Sequence, residues 1–308
     1  MLDAVKLATL RAVVSTGSFS AAGVALDLTQ PAVSRQVSLL ERQLGIQLVR
    51  RTRHGVFATE AGRLLVEHAE AILGRIAQAE AQVAELAGLR RGRVRLGSFF
   101  SALVHVSARL AALLEERHPE LFRGEGQVIV DELVDRRAAL RRLRGGELDA
   151  AVVFEHAFEP DPAPDDVELV PLFDDPPRIL LPADHAGAGA ASVAAAELAA
   201  DTWLRAHDGS AARLVDHVLR QAGISPPLRA AGHGDEPVET QAFIAAGHGV
   251  TAAHDLNVLV AGERVAVVPL AGGAPVRRVQ AAVMRDERSP AVRAVVEALR
   301  EVGRRRGA

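Results

Sequence analysis

Leu7, Leu10 and Val14 recur at helical spacing over residues 4–14, which predicts a first helix ended by Gly17. Ser18 is placed to cap a short second helix over 19–26, and Asp27 and Leu28 turn the chain. Thr29 then reads as the N-cap of a third helix. Pro31 sits in its first turn, where a missing amide hydrogen costs little. Val33, Val37, Leu40 and Leu44 follow at spacings of four, three and four, and Gly45 ends the run. IQLVRR and GVFAT, two short alternating runs around Thr52-Arg53-His54, predict a β-hairpin. Three short helices and a hairpin predict a winged helix-turn-helix. Around the third helix Arg35 lies about 160° and Ser38 about 140° from Val33. Pro31, Ser34, Arg35, Ser38 and Arg42 therefore point away from the core. Hydroxyls and guanidiniums on an outward helix face suit reading of a DNA major groove. An ordinary solvated face is the plainer reading of the same pattern.

Residues 60–87 contain no proline. Leu65, Ala69, Ile72, Ile76, Ala79, Val83 and Leu86 recur there at alternating spacings of four and three. Such a helix is about 42 Å long. A narrow heptad seam favours a partner helix over the chain's own body. Gly88 to Gly92, with Arg90, Arg91 and Arg93, reads as a hinge. Beyond it, strand-like runs at 93–97, 127–133, 149–154, 178–182, 203–206, 228–232, 249–253 and 265–270 alternate with helical stretches. This alternation predicts α/β architecture with open, mostly parallel sheets, and two sheets fit the length.

Composition narrows the function. The chain has 308 residues, 49% of them hydrophobic, enough for two or three domains with real cores. It has no cysteine, which excludes disulfides, iron–sulfur clusters, thiolate zinc sites and a cysteine nucleophile. It shows neither a long uncharged apolar stretch nor a secretory h-region, so a cytoplasmic protein with no membrane partner is expected. Up to residue 63 there are eight Lys/Arg against four acids, so a small basic head sits on an acidic body.

The resemblance becomes specific in GSFSAA at 17–22, TQPAVSRQV at 29–37, LERQLGIQL at 40–48 and TEAG at 59–62. In order and spacing these segments resemble the LysR-type transcriptional regulators. Ala58 departs from the larger aliphatic residue usual there. Ser18, Thr29, Gln30, Pro31, Ser34, Arg35, Ser38, Arg51, Arg53 and His54 are the expected DNA-binding positions. The resemblance implies a winged helix-turn-helix over 1–59 and a linker and dimerisation helix with its hinge over 60–92. A two-lobed, periplasmic-binding-protein-like effector domain follows over 93–308, with lobe I at 93–163 and 268–308 and lobe II at 164–267. Its landmarks are RRLRGGELDAAVV at 141–153, LVPLFDDPPRILLPADH at 169–185 and AAGHGV at 245–250. Pairing of linker helices through Leu65, Ile72, Ile76 and Val83 implies a homodimer or homotetramer. Double-stranded DNA and a small-molecule effector are the implied partners, with RNA polymerase as a further one the family reading allows.

A second reading is an enzyme or solute-binding module built on the same two-lobed fold. The chain has no GxSxG and no HExxH, and Lys6, its only lysine, cannot complete a phosphate-binding loop. Gly247, Gly249 and Ala252 form GxGxxA, but leaving a helix for a strand, the reverse of the dinucleotide-binding order. Neither enzyme activity, cofactor nor metal is expected. An architectural DNA binder with a degenerate effector domain is the third reading. For the effector, ligands of open α/β sheets sit beyond the strands' carboxyl ends. That points to Ser98, Phe99 and Ser101 in one lobe and to His207, Ser210 and His233 in the other. Asp135 disfavours a carboxylate beside it. His156, His207, His233 and His254 each follow a strand candidate. They read as plain loop residues, as recognition groups for an anionic or hydrogen-bonding ligand, or as metal ligands.

Overall fold

The computed structural model describes residues 2–53, 55–86, 93–119, 127–132, 135–231, 237–259, 264–272 and 276–306. His54, the hinge at 88–92 and His233 lie outside them. The head consists of α1 (Ala4–Thr16), α2 (Phe19–Ala25), α3 (Gln30–Leu44) and an antiparallel hairpin of β1 (Val49–Thr52) and β2 (Gly55–Ala58). The hydroxyls of Ser18 and Thr29 accept from the amides of Ala21 and Ala32, and so cap α2 and α3. Gly17 and Gly45 end α1 and α3 in the left-handed conformation. Leu7, Leu10, Val13, Val33, Val37 and Leu40 form the core beneath. The Glu41 carboxylate accepts from the amides of Leu48 and Val49, at 2.8 and 3.2 Å, and ties the wing to α3.

The helix α4 (Glu60–Leu86) starts where the Thr59 hydroxyl accepts from the Gly62 amide and donates to the Gln47 carbonyl. A Cβ at Gly62 would stand 1.9 Å from the Leu48 carbonyl oxygen, so this approach admits only glycine. The first half of α4 packs on the head. Ala69 is buried in the head core and Leu65 is half-buried against it. Leu65, expected on the pairing seam, is thereby reassigned to the chain's own core. A 4-3 seam specifies an apolar neighbour but not which one, and α1 supplies it here. Ile72, Ile76 and Val83 remain 38%, 41% and 65% exposed.

Lobe I holds β3 (Arg93–Ser98), β4 (Gln127–Glu132), β5 (Ala150–His156), β6 (Val167–Asp175) and β12 (Arg277–Met284), in the order β4-β3-β5-β12-β6. Helices α5 (Phe100–Arg117), α6 (Arg136–Arg144) and α9 (Pro290–Arg306) cover it. Lobe II holds β7 (Pro177–Pro182) between β10 (Thr251–His254) and β11 (Val265–Pro269). It also holds the parallel pair β8 (Trp203–Arg205) and β9 (Leu228–Ala230), bridged to the rest by Trp203 and Val250. Its helices are α7 (Gly209–Ala222) and α8 (Pro237–Ala245). No described helix is long and apolar enough to cross a membrane.

Two expectations need correction. The lobe boundaries move, because β6 pairs with β12 in lobe I and β11 pairs with β7 in lobe II. Residues 164–175 thus belong to lobe I, and 268–269 to lobe II. The sheets are also less parallel than expected, since β12 runs antiparallel to both β5 and β6. Strands β6 and β12 escape a hydropathy reading because Glu168, Pro171 and Asp174 interrupt one, and Arg277, Arg278 and Gln280 the other.

Linker and lobe I meet closely. A Cβ at Gly74 would lie 1.5 Å from the Arg144 carbonyl oxygen, and one at Gly146 would lie 2.7 Å from the Ala77 methyl. Arg75 pairs with Asp286, and Arg11 of α1 stands 3.8 Å from Glu147. Glu70 sits in the same junction. Burial raises its carboxyl pKa against the pull of Arg141, Arg11 and Arg144.

The chain crosses between lobes at Pro176 and again between β11 and β12. Arg277 lies at that crossing, opposite His156 on one side and Asp175 on the other. Its guanidinium donates to the Asp175 carboxylate at 2.6 and 3.0 Å, to Asn257 Oδ1 at 3.2 Å and to Ser101 Oγ at 3.4 Å. The other Asp175 oxygen accepts from the Leu256 amide at 3.0 Å. The side chains of Arg277 and Asp175 are 3% and 0% exposed. Removing one member of such a pair strands a buried charge and costs about 3–5 kcal/mol. Asp175→Leu is therefore expected to lower the urea midpoint followed by Trp203, the only tryptophan and one buried in lobe II. The double variant Asp175→Leu/Arg277→Met should regain most of the loss. An unchanged midpoint in the single variant would contradict the assignment.

Candidate nucleic-acid interface and effector junction

On the head, Thr29, Gln30, Pro31, Arg35 and Ser38 are exposed along the first turns of α3. Ser34 is half-buried, and its hydroxyl accepts from Arg51 Nη2 at 2.9 Å. The Arg51 guanidinium also lies 4.2 Å over the Phe19 ring. Ser34 and Arg51, both expected as DNA-binding positions, thus form one unit joining wing to third helix. Arg53 is exposed at the wing, and Ser18 is half-buried at the start of α2. Thr9 of α1 donates to Gln36 Oε1 and fixes the back of α3. The exposed face offers hydroxyl, amide and guanidinium donors on one rigid helix, the set that base edges and phosphates accept from.

The second constellation gathers at the lobe crossing. From lobe I come Ser98, Phe99 and Ser101, all buried around the start of α5, together with Phe154 and His156 from the end of β5 and Phe158 from the loop after it. Phe99 meets Phe154 edge-on at 4.8 Å, and the Arg277 guanidinium lies 5.0 and 4.6 Å from their ring centres. From lobe II come Ser210 at the start of α7, His217 on the same helix, and His254 at the end of β10. His156 Nε2 and Ser210 Oγ are hydrogen-bonded across the lobes at 2.8 Å. The His156 ring stacks on Phe158 at 4.7 Å and tilts against His254 at 5.1 Å, while Phe158 stacks on His217 at 4.0 Å. Arg213 of α7 pairs with Glu159 at 2.9 Å.

Burial, then the charges of Arg277 and Arg213 and the neighbouring His217, lower the His156 pKa to about 3. Burial, Arg277 and His156 hold His254 well below the ordinary imidazole range. Both rings are neutral near pH 7, which removes them as imidazolium anchors for an anion. His156 Nδ1 and His254 Nε2 are buried and meet no hydrogen-bond partner among the described residues. Each such atom costs about 1–3 kcal/mol. Beside the cluster lies a lobe II pocket, partly open to solvent. Leu180, Ala206, Ala211, Val215, Pro237 and Ala253 line it, with Thr240, Gln241 and Asn257 as its polar edge. Among the described residues no three His, Asp or Glu side chains converge as metal ligands.

Of the expected effector residues, Ser98, Phe99, Ser101 and Ser210 come together here. Asp135 does not join them by any contact: it is exposed, and its carboxylate accepts from the Ala138 amide at 2.6 Å, capping α6. It belongs to a helix start, not to a strand end. His207 is exposed, and its carbonyl accepts from Arg205. Arg277, Asp175, Asn257 and Phe154 carry much of the junction and went unnoticed in the sequence, where nothing distinguishes them from surface charges and ordinary strand residues. His156 and His254 carried a signal, their common place after a strand.

Two family profiles match the chain: bacterial regulatory helix-turn-helix protein, lysR family, over residues 5–63, and LysR substrate binding domain over residues 87–304. The RuBisCO operon transcriptional regulator of Allochromatium vinosum is 29% identical over 68% of this chain and 65% of its own length. The HTH-type transcriptional regulator CbbR of Sinorhizobium medicae is 31% identical over 68% of this chain and 63% of its own. The matched part thus spans just under two thirds of either relative. Among solved structures, full-length OxyR from Pseudomonas aeruginosa superposes with a TM-score of 0.68 at 23% identity, covering 99% of this chain and 95% of that one. ArgP from Mycobacterium tuberculosis gives 0.64 at 23% identity, covering 98% of both chains. Those two likenesses concern the fold alone. With a lysR-type head over 5–63 and a LysR substrate binding domain over 87–304, the chain belongs to the LysR family of bacterial helix-turn-helix regulators.

Proposed function

We propose that the chain is a cytoplasmic, ligand-responsive transcriptional regulator and not an enzyme. Its third helix reads double-stranded DNA, its linker helices pair two or four copies, and its lobe junction takes a small-molecule effector. The observation that carries this reading is the rigid outward face of α3, where Thr29, Gln30, Pro31, Arg35 and Ser38 stand exposed on a capped helix. Relatives named as transcriptional regulators support it. RNA polymerase is the partner such a regulator acts on.

The effector acts through contacts within one chain. A ligand at the crossing touches both lobes, and only a difference in affinity between two lobe arrangements shifts the population. Lobe I in turn abuts the linker at Gly74, Ala77 and Arg75, and the head at Arg11. A change in lobe I therefore bears directly on the helix that sets the spacing of two heads.

Arg35 offers a two-pronged donor to a guanine edge, worth about 1–3 kcal/mol of discrimination. Arg35→Ala should lose preference among sequences selected from random DNA. Arg53→Ala should weaken binding to every sequence and flatten the salt dependence by about one unit. Intact preference in Arg35→Ala would refute this orientation of the third helix.

Ile72 and Ile76 stand exposed at the middle of α4, where a second copy would cover them. Ile76→Glu places a charge in that contact, at a cost of several kcal/mol. Sedimentation should then find monomers, with DNA affinity lost. An unchanged assembly would remove the seam from the interface.

A further inference from the structure

We propose that the lobe junction takes an uncharged small molecule, an apolar planar body with a neutral hydrogen-bonding head, in preference to a carboxylate or phosphate. His156 and His254 are its hydrogen-bond partners. The proposal rests on the junction being the effector site and names the class of effector.

Three independent features lead there. First, His156 and His254 are 3% and 2% exposed, their rings lie 5.1 Å apart, and each buries a nitrogen that meets no partner among the described residues. A neutral imidazole presents one donor and one acceptor. The matching head offers both a donor and an acceptor, as an amide, a lactam or a phenol does.

Second, the cations facing these rings are already neutralised. Arg277, from β12, is bound by Asp175, from β6. Arg213, from α7, is paired with Glu159, from the loop after β5. His217, also on α7, is lowered in pKa by burial and by Arg220. With His156 and His254 themselves neutral, an incoming anion finds no unneutralised cation among these groups, and burying it unpaired is unfavourable.

Third, among the described residues the adjoining pocket has no ionisable side chain in its lining. It runs from Ala211, next to Ser210, past Ala253, next to His254, to Asn257, which accepts from Arg277. The other side of the junction is built of planar rings, Phe154 edge-on to His156 and Phe158 stacked on both His156 and His217, an aromatic wall that suits a planar body.

The sign of the pH dependence follows. An anion held by imidazolium would bind more tightly as pH falls through about 6–7. A neutral ligand held by His156, whose pKa is lowered to about 3, and by His254, held well below the ordinary imidazole range, binds equally across that range.

The test uses two near-isosteric probes, benzamide and benzoate, titrated calorimetrically into the full-length chain at about pH 6 and about pH 8. Benzamide should bind about tenfold or more tightly than benzoate, with affinity flat between the two pH values. His254→Phe should weaken benzamide about tenfold, and His254→Gln, which keeps a donor and an acceptor, should retain most of the affinity. Benzoate binding as tightly as benzamide, benzoate tightening at the lower pH, no benzamide binding, or no effect of His254→Phe would each overturn the proposal. Hydrogen exchange in the same samples separates the two readings. Benzoate that protects residues 153–159 and 206–211 leaves the junction as effector site and refutes only the class. A bound probe that protects neither segment refutes the site itself.

Discussion

The buried pair of Arg277 and Asp175 is the constraint on which the rest of the effector domain depends. Both chain crossings between the lobes run beside it, and its two charges sit in the interior. A charge so placed must be fully bonded, or it destabilises the fold. Here the bonding groups come from both sides: Ser101 and Asp175 from lobe I, Asn257 and the Leu256 amide from lobe II. Separating the lobes at this point keeps the pair within lobe I but strips it of Asn257 and the Leu256 amide, leaving buried charge short of bonds. Motion is directed instead to the outer contacts, His156 with Ser210, Phe158 with His217 and Glu159 with Arg213. These outer contacts are neutral or solvent-exposed, so they break at lower cost.

Much of the head was legible in the sequence because its signals are local. Ser18, Thr29, Pro31, Gly17 and Gly45 each act within a few residues, and helix capping has a fixed chemistry. TEAG was legible only as a resemblance. Its physical reason, Thr59 bonding the wing and Gly62 pressed on Leu48, needs the fold. The paired glycines of RRLRGGELDAAVV are similar: Gly146 has a φ of 67° and lies against Ala77, about seventy positions earlier in the chain, a contact that only folding brings about. In AAGHGV, a Cβ at Gly249 would stand 2.3 Å from the Thr202 carbonyl oxygen, again a long-range contact.

What stayed hidden was long-range as well. Strands β6 and β12 carry charges because their ends form the junction, so hydropathy hid the very strands that build the site. Arg277 finds Asp175 about a hundred positions away, and no spacing rule links them. The seam of α4 was visible, but its division between the head core at Leu65 and Ala69 and an open stretch at Ile72 and Ile76 was not. Asp135 shows the opposite error: a polar residue beside a strand end was taken for a ligand group when a helix start already used it.

The account joins the head to the junction through one continuous body, with Arg11, Glu70, Gly74 and Arg75 meeting Glu147, Arg144 and Asp286 on lobe I. Linkage makes such coupling reciprocal, so DNA held by the head must also be felt at the lobes. The most direct measurement is hydrogen exchange of the full-length chain, free and saturated with a DNA fragment that the protein itself selects. The account predicts protection over residues 29–42 together with altered exchange at 70–77, 141–147 and 153–158. Changes confined to residues up to 59 would contradict it.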